Sequence, residues 1–247
     1  MGLTDLAYIA TAVIEIIVPI ILAIIIWKKF KVSWTIFFLG MVFFLISLSR
    51  IPVNNYLGGL LQSNFSGELF YILFGVMAGI TAGIFEEGVR IIAIGAVIKQ
   101  RDYFKGIMYG IGHGGGGEAM FYIGFTTLAN YIIYKFFPNI FPINIIPQMD
   151  SMVWYLPLIG ALERVLAIAI QIAFSVLVMH AFIYRKYYII PLVIIFHAAI
   201  DFIAYYLNYK FGVWYTELVV FLFAVIGVIL IITLRPKKYK HAVGQKT

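Results

Sequence analysis

The chain has 247 residues, of which 63% are hydrophobic and only 12% charged, with a formal net charge of +7 and a mean hydropathy of +1.00. Such values exclude an ordinary soluble domain and define a polytopic membrane protein; the length suits one helical bundle, residues 1–247, with no second soluble domain. Cysteine is absent, so disulfides and thiolate metal ligands are excluded and any metal must rely on His, Asp or Glu.

The first apolar stretch runs from about Leu3 to Trp27, too long for a signal-peptide core, and is read as a retained transmembrane helix. Glu15 lies alone within it, with no obvious partner. Further spans are expected at about 33–60, 68–98, 104–135, 152–184, 187–208 and 212–234, giving an all-α bundle of about seven helices. Arg50 and Pro52 interrupt the second span, which should end or kink there and continue as an interfacial piece to Leu61. In the third, Gly75, Gly79 and Gly83 form a row that continues to Glu87, with Glu86 beside it and Arg90 one turn on. In the fourth, Gly106 and Gly110 lead to His113 and onward to Gly117 and Glu118. Small residues permit close helix contact, so these two faces are expected to pack on each other, although glycine rows also serve packing alone. The run Gly114–Gly117 costs roughly 1 kcal/mol per glycine relative to alanine in a helix, and is expected to mark unwound or closely approached backbone.

The loop at 136–150, with Pro138, Pro142 and Pro147, reads as an outer lid or an inert connector. In the fifth span Glu163, Ala167, Gln171 and Ser175 form a polar and small row; Glu163 and Arg164 are expected in an ion pair, mutual or interhelical, toward the outer side. His180, close to Arg185, reads as structural. In the sixth, His197 and Asp201 are four residues apart and share a helix face, where the carboxylate can orient or charge the imidazole or both can reach one ion.

Loop charges orient the bundle. Thirteen basic residues fall on one side: Lys28, Lys29, Lys31, Lys99, Arg101, Lys105, Arg185, Lys186, Arg235, Lys237, Lys238, Lys240 and Lys246. Lys135 and Lys210 alone fall on the other, so the positive-inside rule places the amino terminus outside and the carboxyl terminus, with its basic tail 235–247, in the cytoplasm. The net charge is a topology signal, and the tail is read as lipid-facing rather than as a nucleic-acid binder.

Depth then follows from a rise of about 1.5 Å per residue. Glu86 lies thirteen residues before Lys99, His113 and Glu118 eight and thirteen after Lys105, and His197 and Asp201 eleven and fifteen after Lys186. All come to about the middle of a bilayer roughly 30 Å thick. An ionisable side chain there costs roughly 2.5–3.5 kcal/mol, so the group must pair, bind metal or line a wet cavity. Glutamates, imidazoles and an aspartate without a cysteine or serine elbow suit water activation: a carboxylate takes the proton, and imidazoles hold Zn²⁺ or polarise a carbonyl.

The order Glu86-Glu87-x-x-Arg90, Gly110-Ile-Gly-His113-Gly-Gly with Glu118, Glu163-Arg164 leading to Ser175-Val-Leu-Val, and His197-x-x-x-Asp201 resembles the YhfC-type intramembrane metalloproteases over nearly the whole chain. It is also similar in motif order to the broader group of type II CAAX prenyl endopeptidases, bacteriocin-immunity proteases and PrsW-type proteases. The prenyl-endopeptidase pattern has three residues between its glutamate pair and arginine and ends in His-x-x-x-Asn; this chain has two residues and Asp201, so prenylated substrates are not implied. The resemblance implies that Glu86 activates water, that Glu87 and Arg90 support it, and that His113 and His197 complete the centre. Gln171, Glu163 and Arg164 would support it. Zn²⁺ is the implied cofactor, with His113, His197, Glu118 and Asp201 as its ligand set, although glutamate and histidine can activate water without an ion. The implied activity is hydrolysis of a peptide bond in a membrane-embedded or membrane-associated protein, in a prokaryotic plasma membrane, with the bilayer and a membrane protein or peptide as partners and no nucleic acid. Oligomeric state stays open. Two other classes use buried Glu, His and Asp: a proton- or cation-coupled transporter, and a non-catalytic membrane scaffold.

Overall fold

Long apolar runs must satisfy their backbone hydrogen bonds internally in lipid, and helices do so within one segment. The computed structural model describes residues 2–140, 142 and 145–236; the tail from residue 237, including His241 and the last four lysines named above, lies outside the described residues. The helices are α1 Leu3–Phe30, α2 Trp34–Ser47, α3 Arg50–Asn64, α4 Gly67–Ile92, α5 Tyr103–Gly110, α6 Phe125–Phe136, α7 Ile146–Asp150, α8 Leu156–Tyr184, α9 Ile189–Phe211 and α10 Val213–Thr233. A π-helical turn, Ala93–Val97, extends α4, and a π-helical stretch, Ile111–Gly124, joins α5 to α6 without a break. No strand occurs among the described residues.

Six helical runs are long and apolar enough to cross a membrane: Leu3–Phe30, Trp34–Asn64, Gly67–Val97, Leu156–Ile183, Ile189–Phe211 and Val213–Thr233. The run 103–136 forms the seventh rod, its middle wound as π-helix. The interruption expected at Arg50 and Pro52 falls between α2 and α3, where the Ser47 hydroxyl donates to the Phe44 carbonyl at 2.6 Å. Local chemistry sets other boundaries. Ser33 caps α2 by accepting from the Thr35 amide at 3.2 Å, and Asp102 caps α5 by accepting from the Phe104 and Lys105 amides at 2.9 and 3.0 Å.

The two glycine rows do not pack on each other. Gly75, Gly79 and Gly83 face Tyr205, Phe202, Ala198 and Ile194 of α9, whereas Gly106 and Gly110 face Met179, Ser175 and Ile172 of α8. Each row draws in a different helix, and the α4 row brings α9 close enough for His197 to reach Glu87. The glycine run remains helical and meets three helices. A Cβ on Gly114 would stand 2.5 Å from Cβ of Gln171, one on Gly115 2.9 Å from Pro19, and one on Gly117 2.6 Å from Phe44. The close approach expected at Gly114–Gly117 is therefore present, as widened rather than unwound backbone.

Substitution of these glycines should separate packing from propensity. A Cβ at Gly110 would lie 2.6 Å from the Ile172 Cα, and backbone cannot move aside, so Gly110→Ala should cost about 1–3 kcal/mol. Gly88 has nothing within 4 Å of its Cβ position, so Gly88→Ala should gain about 0.5–1 kcal/mol. Thermal unfolding in one detergent, with the two variants moving in opposite directions, checks this.

The two ends of the bundle differ in charge compensation. Lys135 meets Asp5 at 3.0 Å, and Lys210 meets Glu68 at 2.7 Å. At the other end Phe104 stacks on Phe30, the Tyr103 hydroxyl donates to the Ile231 carbonyl, and Arg101 donates to the Ile94 and Gly95 carbonyls. The basic ends of α1, α4 and α10 thus meet at the start of α5. The 136–150 connection contains a 3₁₀ turn, Pro138–Ile140, and α7, which the Tyr8 hydroxyl ties to α1 through the Met149 sulfur at 3.4 Å.

Candidate active site

Glu86, Glu87 and Arg90 occupy one turn of α4, below the glycine row that admits α9, and all three are buried. Glu86 holds the centre. Its Oε1 accepts from Arg50 Nη2 at 2.9 Å, and its Oε2 accepts from Gln171 Nε2 at 3.0 Å. The same Oε2 faces both imidazoles, 3.6 Å from His113 Nε2 and 3.8 Å from His197 Nε2.

Glu87 serves the second histidine. Its Oε1 lies 2.7 Å from His197 Nδ1 and also accepts from Arg90 Nη1. An ionised carboxylate has no proton to give, so this contact assigns a proton to Nδ1. The Nε2 of His197 faces Glu86 and, at 3.8 Å, Asp201 Oδ2. The Phe174 ring stacks on His197 with centroids 5.1 Å apart and lies 5.9 Å from the Arg90 guanidinium, fixing both. Gln171 ties the two acidic groups together, because its Oε1 accepts from Arg90 Nη2 while its amide serves Glu86.

His113 is fully buried between the edge of Phe44 and the face of Tyr109, and neither ring nitrogen has a hydrogen-bond partner. Its Nε2 lies 3.6 Å from Glu86 Oε2, and leaving a buried imidazole without a closer partner costs of order 1–3 kcal/mol. Glu118 lines the same cavity as His197 and is held by Arg164. Its Oε1 accepts from Arg164 Nη1 at 2.6 Å, and its Oε2 is 3.5 Å from Gln171 Nε2. Arg164 also donates to Glu163, so the expected ion pair is both mutual and interhelical. A cavity of about 100 Å³ is lined among others by Glu86, Glu118, Arg164, His197 and Asp201, whose side chain is 41% exposed; His113 lies behind Glu86 and does not line it.

Arg50 escaped the reading of the sequence as a site residue, having served there only to interrupt a span. An arginine inside an apolar run requires a carboxylate partner, and that signal was present. Glu15 and Glu217 are buried outside the centre, each with an Oε2 that lacks a hydrogen-bond partner. His180 sits against Tyr184, ring centroids 4.4 Å apart, away from the cluster.

A multi-pass helical membrane protein that gathers two glutamates, two histidines and an arginine in its interior defines a narrow class. The chain belongs to the YhfC intramembrane metalloprotease family, which residues 14–224 match. It is 27% identical to the uncharacterized membrane protein YhfC of Bacillus subtilis (strain 168), over 75% of this chain and 78% of that protein. No solved structure matches.

The family description implies a metal. Among the described residues no three His, Asp or Glu side chains are gathered as a formed metal centre. The donor chemistry nevertheless fits one: Glu87 holds the Nδ1 side of His197, so that its Nε2 would serve as the donor, and neither nitrogen of His113 has a hydrogen bond within the protein. Their Nε2 atoms face one Glu86 oxygen at 3.6 and 3.8 Å, which brings both nitrogen donors beside the same carboxylate.

Proposed function

We propose that the chain hydrolyses a peptide bond within or beside a membrane-spanning segment, with Glu86 as the base that activates water. The observation that carries this reading is the single Glu86 oxygen that faces both imidazoles inside a polar cavity. Glu86 takes a proton from water as the water oxygen attacks the carbonyl carbon. The same carboxyl returns that proton to the amide nitrogen as the C–N bond breaks, giving an amine and a carboxylic acid, which then ionises to release the second proton of the water. Arg50 and Gln171 hold the carboxylate in place, one on each oxygen. Glu87 and Arg90 fix the tautomer and angle of His197. His113 has a ring N–H free to donate to the carbonyl oxygen as negative charge builds there.

Zinc would be held by His113 and His197 with a carboxylate from Asp201 or Glu118, and would supply Lewis-acid polarisation of water and carbonyl. Protein purified in detergent without chelators should carry about one zinc per chain, and His113→Ala and His197→Ala should each lose it. Elemental analysis decides the point. Folded wild-type protein that takes up no added zinc would instead support glutamate-dependent hydrolysis without metal.

The unmatched buried carboxylates of Glu15 and Glu217 favour a second reading, coupled transport of protons or cations. It requires ion flux into vesicles reconstituted with the purified chain and no peptide cleavage.

A further inference from the structure

A second cavity, of about 300 Å³, lies between α8, α9 and α10, and every residue that lines it is apolar. Its origin is in the helix packing. Gly79 and Gly83 draw α9 against α4, while Gly227 seats α10 on Ala173 of α8, a Cβ there standing 3.3 Å from Ala173 Cβ. The two helices lean to different neighbours and leave a wedge between them. At its rim Phe196 is 58% and Ile226 52% exposed, so the wedge opens to the lipid-facing surface. At its inner end Ile170, Phe174 and Ile200 line both this groove and the cavity of Glu86, His197 and Asp201.

We propose that this groove binds apolar side chains of a membrane-spanning peptide, next to the amide that is cut. The inference rests on the proteolytic reading of the adjoining site and names how its substrate is held. A peptide joins apolar side chains to a polar amide, and the paired cavities present that same division, apolar toward lipid and polar at the glutamate. Phe174 is the partition, because its ring lines both spaces and stacks on His197. Lipid tails are as apolar as the groove, so burial from water gives no selectivity there; shape and packing must supply it.

The chain has no cysteine, so each single-cysteine variant carries one thiol. Phe196→Cys and Ile226→Cys place it in the groove, and Ile195→Cys and Val225→Cys place it one residue away, on exposed positions outside the groove. Each is reconstituted in phosphatidylcholine vesicles with a single-span Leu/Ala peptide that bears one central cysteine, and disulfide yield is measured after oxidation. The groove positions should exceed their neighbours about tenfold, a difference near 1.4 kcal/mol. The preference should persist with Glu86→Gln and fall when Leu192→Trp fills the rim. Equal yields within each pair overturn the proposal. So does a preference shown by a thiol-tipped palmitate analogue and not by the peptide, which would make the groove a lipid site. Cleavage insensitive to Glu86 beside an intact pair preference removes the proteolytic reading and leaves a peptide-binding groove; Glu86-dependent cleavage with equal yields does the reverse.

Discussion

Glu86→Gln should lower the proposed peptide cleavage to near background while the chain stays folded. The substitution removes the carboxylate whose oxygen faces both imidazoles, so the rate should fall by about 10²–10⁴, the usual worth of a positioned general base. Size and shape are unchanged, and the new carbonyl can still accept from Arg50 or Gln171. The new amide then faces another donor, a mismatch of about 1–3 kcal/mol at most. Turnover of a membrane protein or peptide that the wild-type chain cleaves, measured beside thermal unfolding, separates the two effects. Glu87→Gln is the internal control. It still offers a carbonyl to His197 Nδ1 and Arg90, so its effect should be only about 10–100-fold, through the orientation of His197. Wild-type turnover by Glu86→Gln would end the assignment of Glu86 as the base.

Arg90→Met should produce the largest loss of stability. The guanidinium is fully buried and serves Glu87 and Gln171 at once, so its removal strands a buried carboxylate. Breaking such a pair from one side costs about 3–5 kcal/mol, a large part of the 5–15 kcal/mol typical of a folded domain. Lower yield and a lower unfolding temperature in detergent are the expected readings. The double variant Glu87→Met, Arg90→Met should recover most of that loss, because no unpaired charge remains, yet it should not recover activity, because His197 loses its orienting carboxylate. A double variant as unstable as Arg90→Met alone would show that the guanidinium acts by packing on Phe174 rather than by charge.

Much of the bundle was legible because long apolar runs end at charges. The span expected at 68–98 is α4 with its π-helical turn, Gly67–Val97, and that expected at 187–208 is α9, Ile189–Phe211. Level was legible too, since a fixed rise per residue converts distance from a basic loop into depth, and Glu86, His113 and His197 do share one place. Partnership was not. Helical period tells which residues share a face and says nothing of which helix that face meets, so the α4 glycines were matched to α5 when their neighbour is α9. The same blindness hid Arg50, and left Gln171 as one polar position in a row when its amide bridges Arg90 and Glu86. The π-helical stretch has no periodic signature in the sequence, and its close packing at Gly112 and Gly114–Gly117 against α1, α2 and α8 depends on neighbours that one helix's sequence does not name.

That crowding has an evolutionary cost. Lipid-facing aliphatics such as Ile229 and Ile232 can be exchanged among themselves with little penalty, and a lineage can drift there freely. Residues 112 and 114–117 stand where even a methyl group would strike Phe37, Gln171, Pro19 or Phe44, so any larger residue demands a compensating change on a second helix at the same time. The seam is a ratchet against innovation: descendants of this protein can remodel what they meet in the membrane far more easily than they can move the histidine that the seam holds in place.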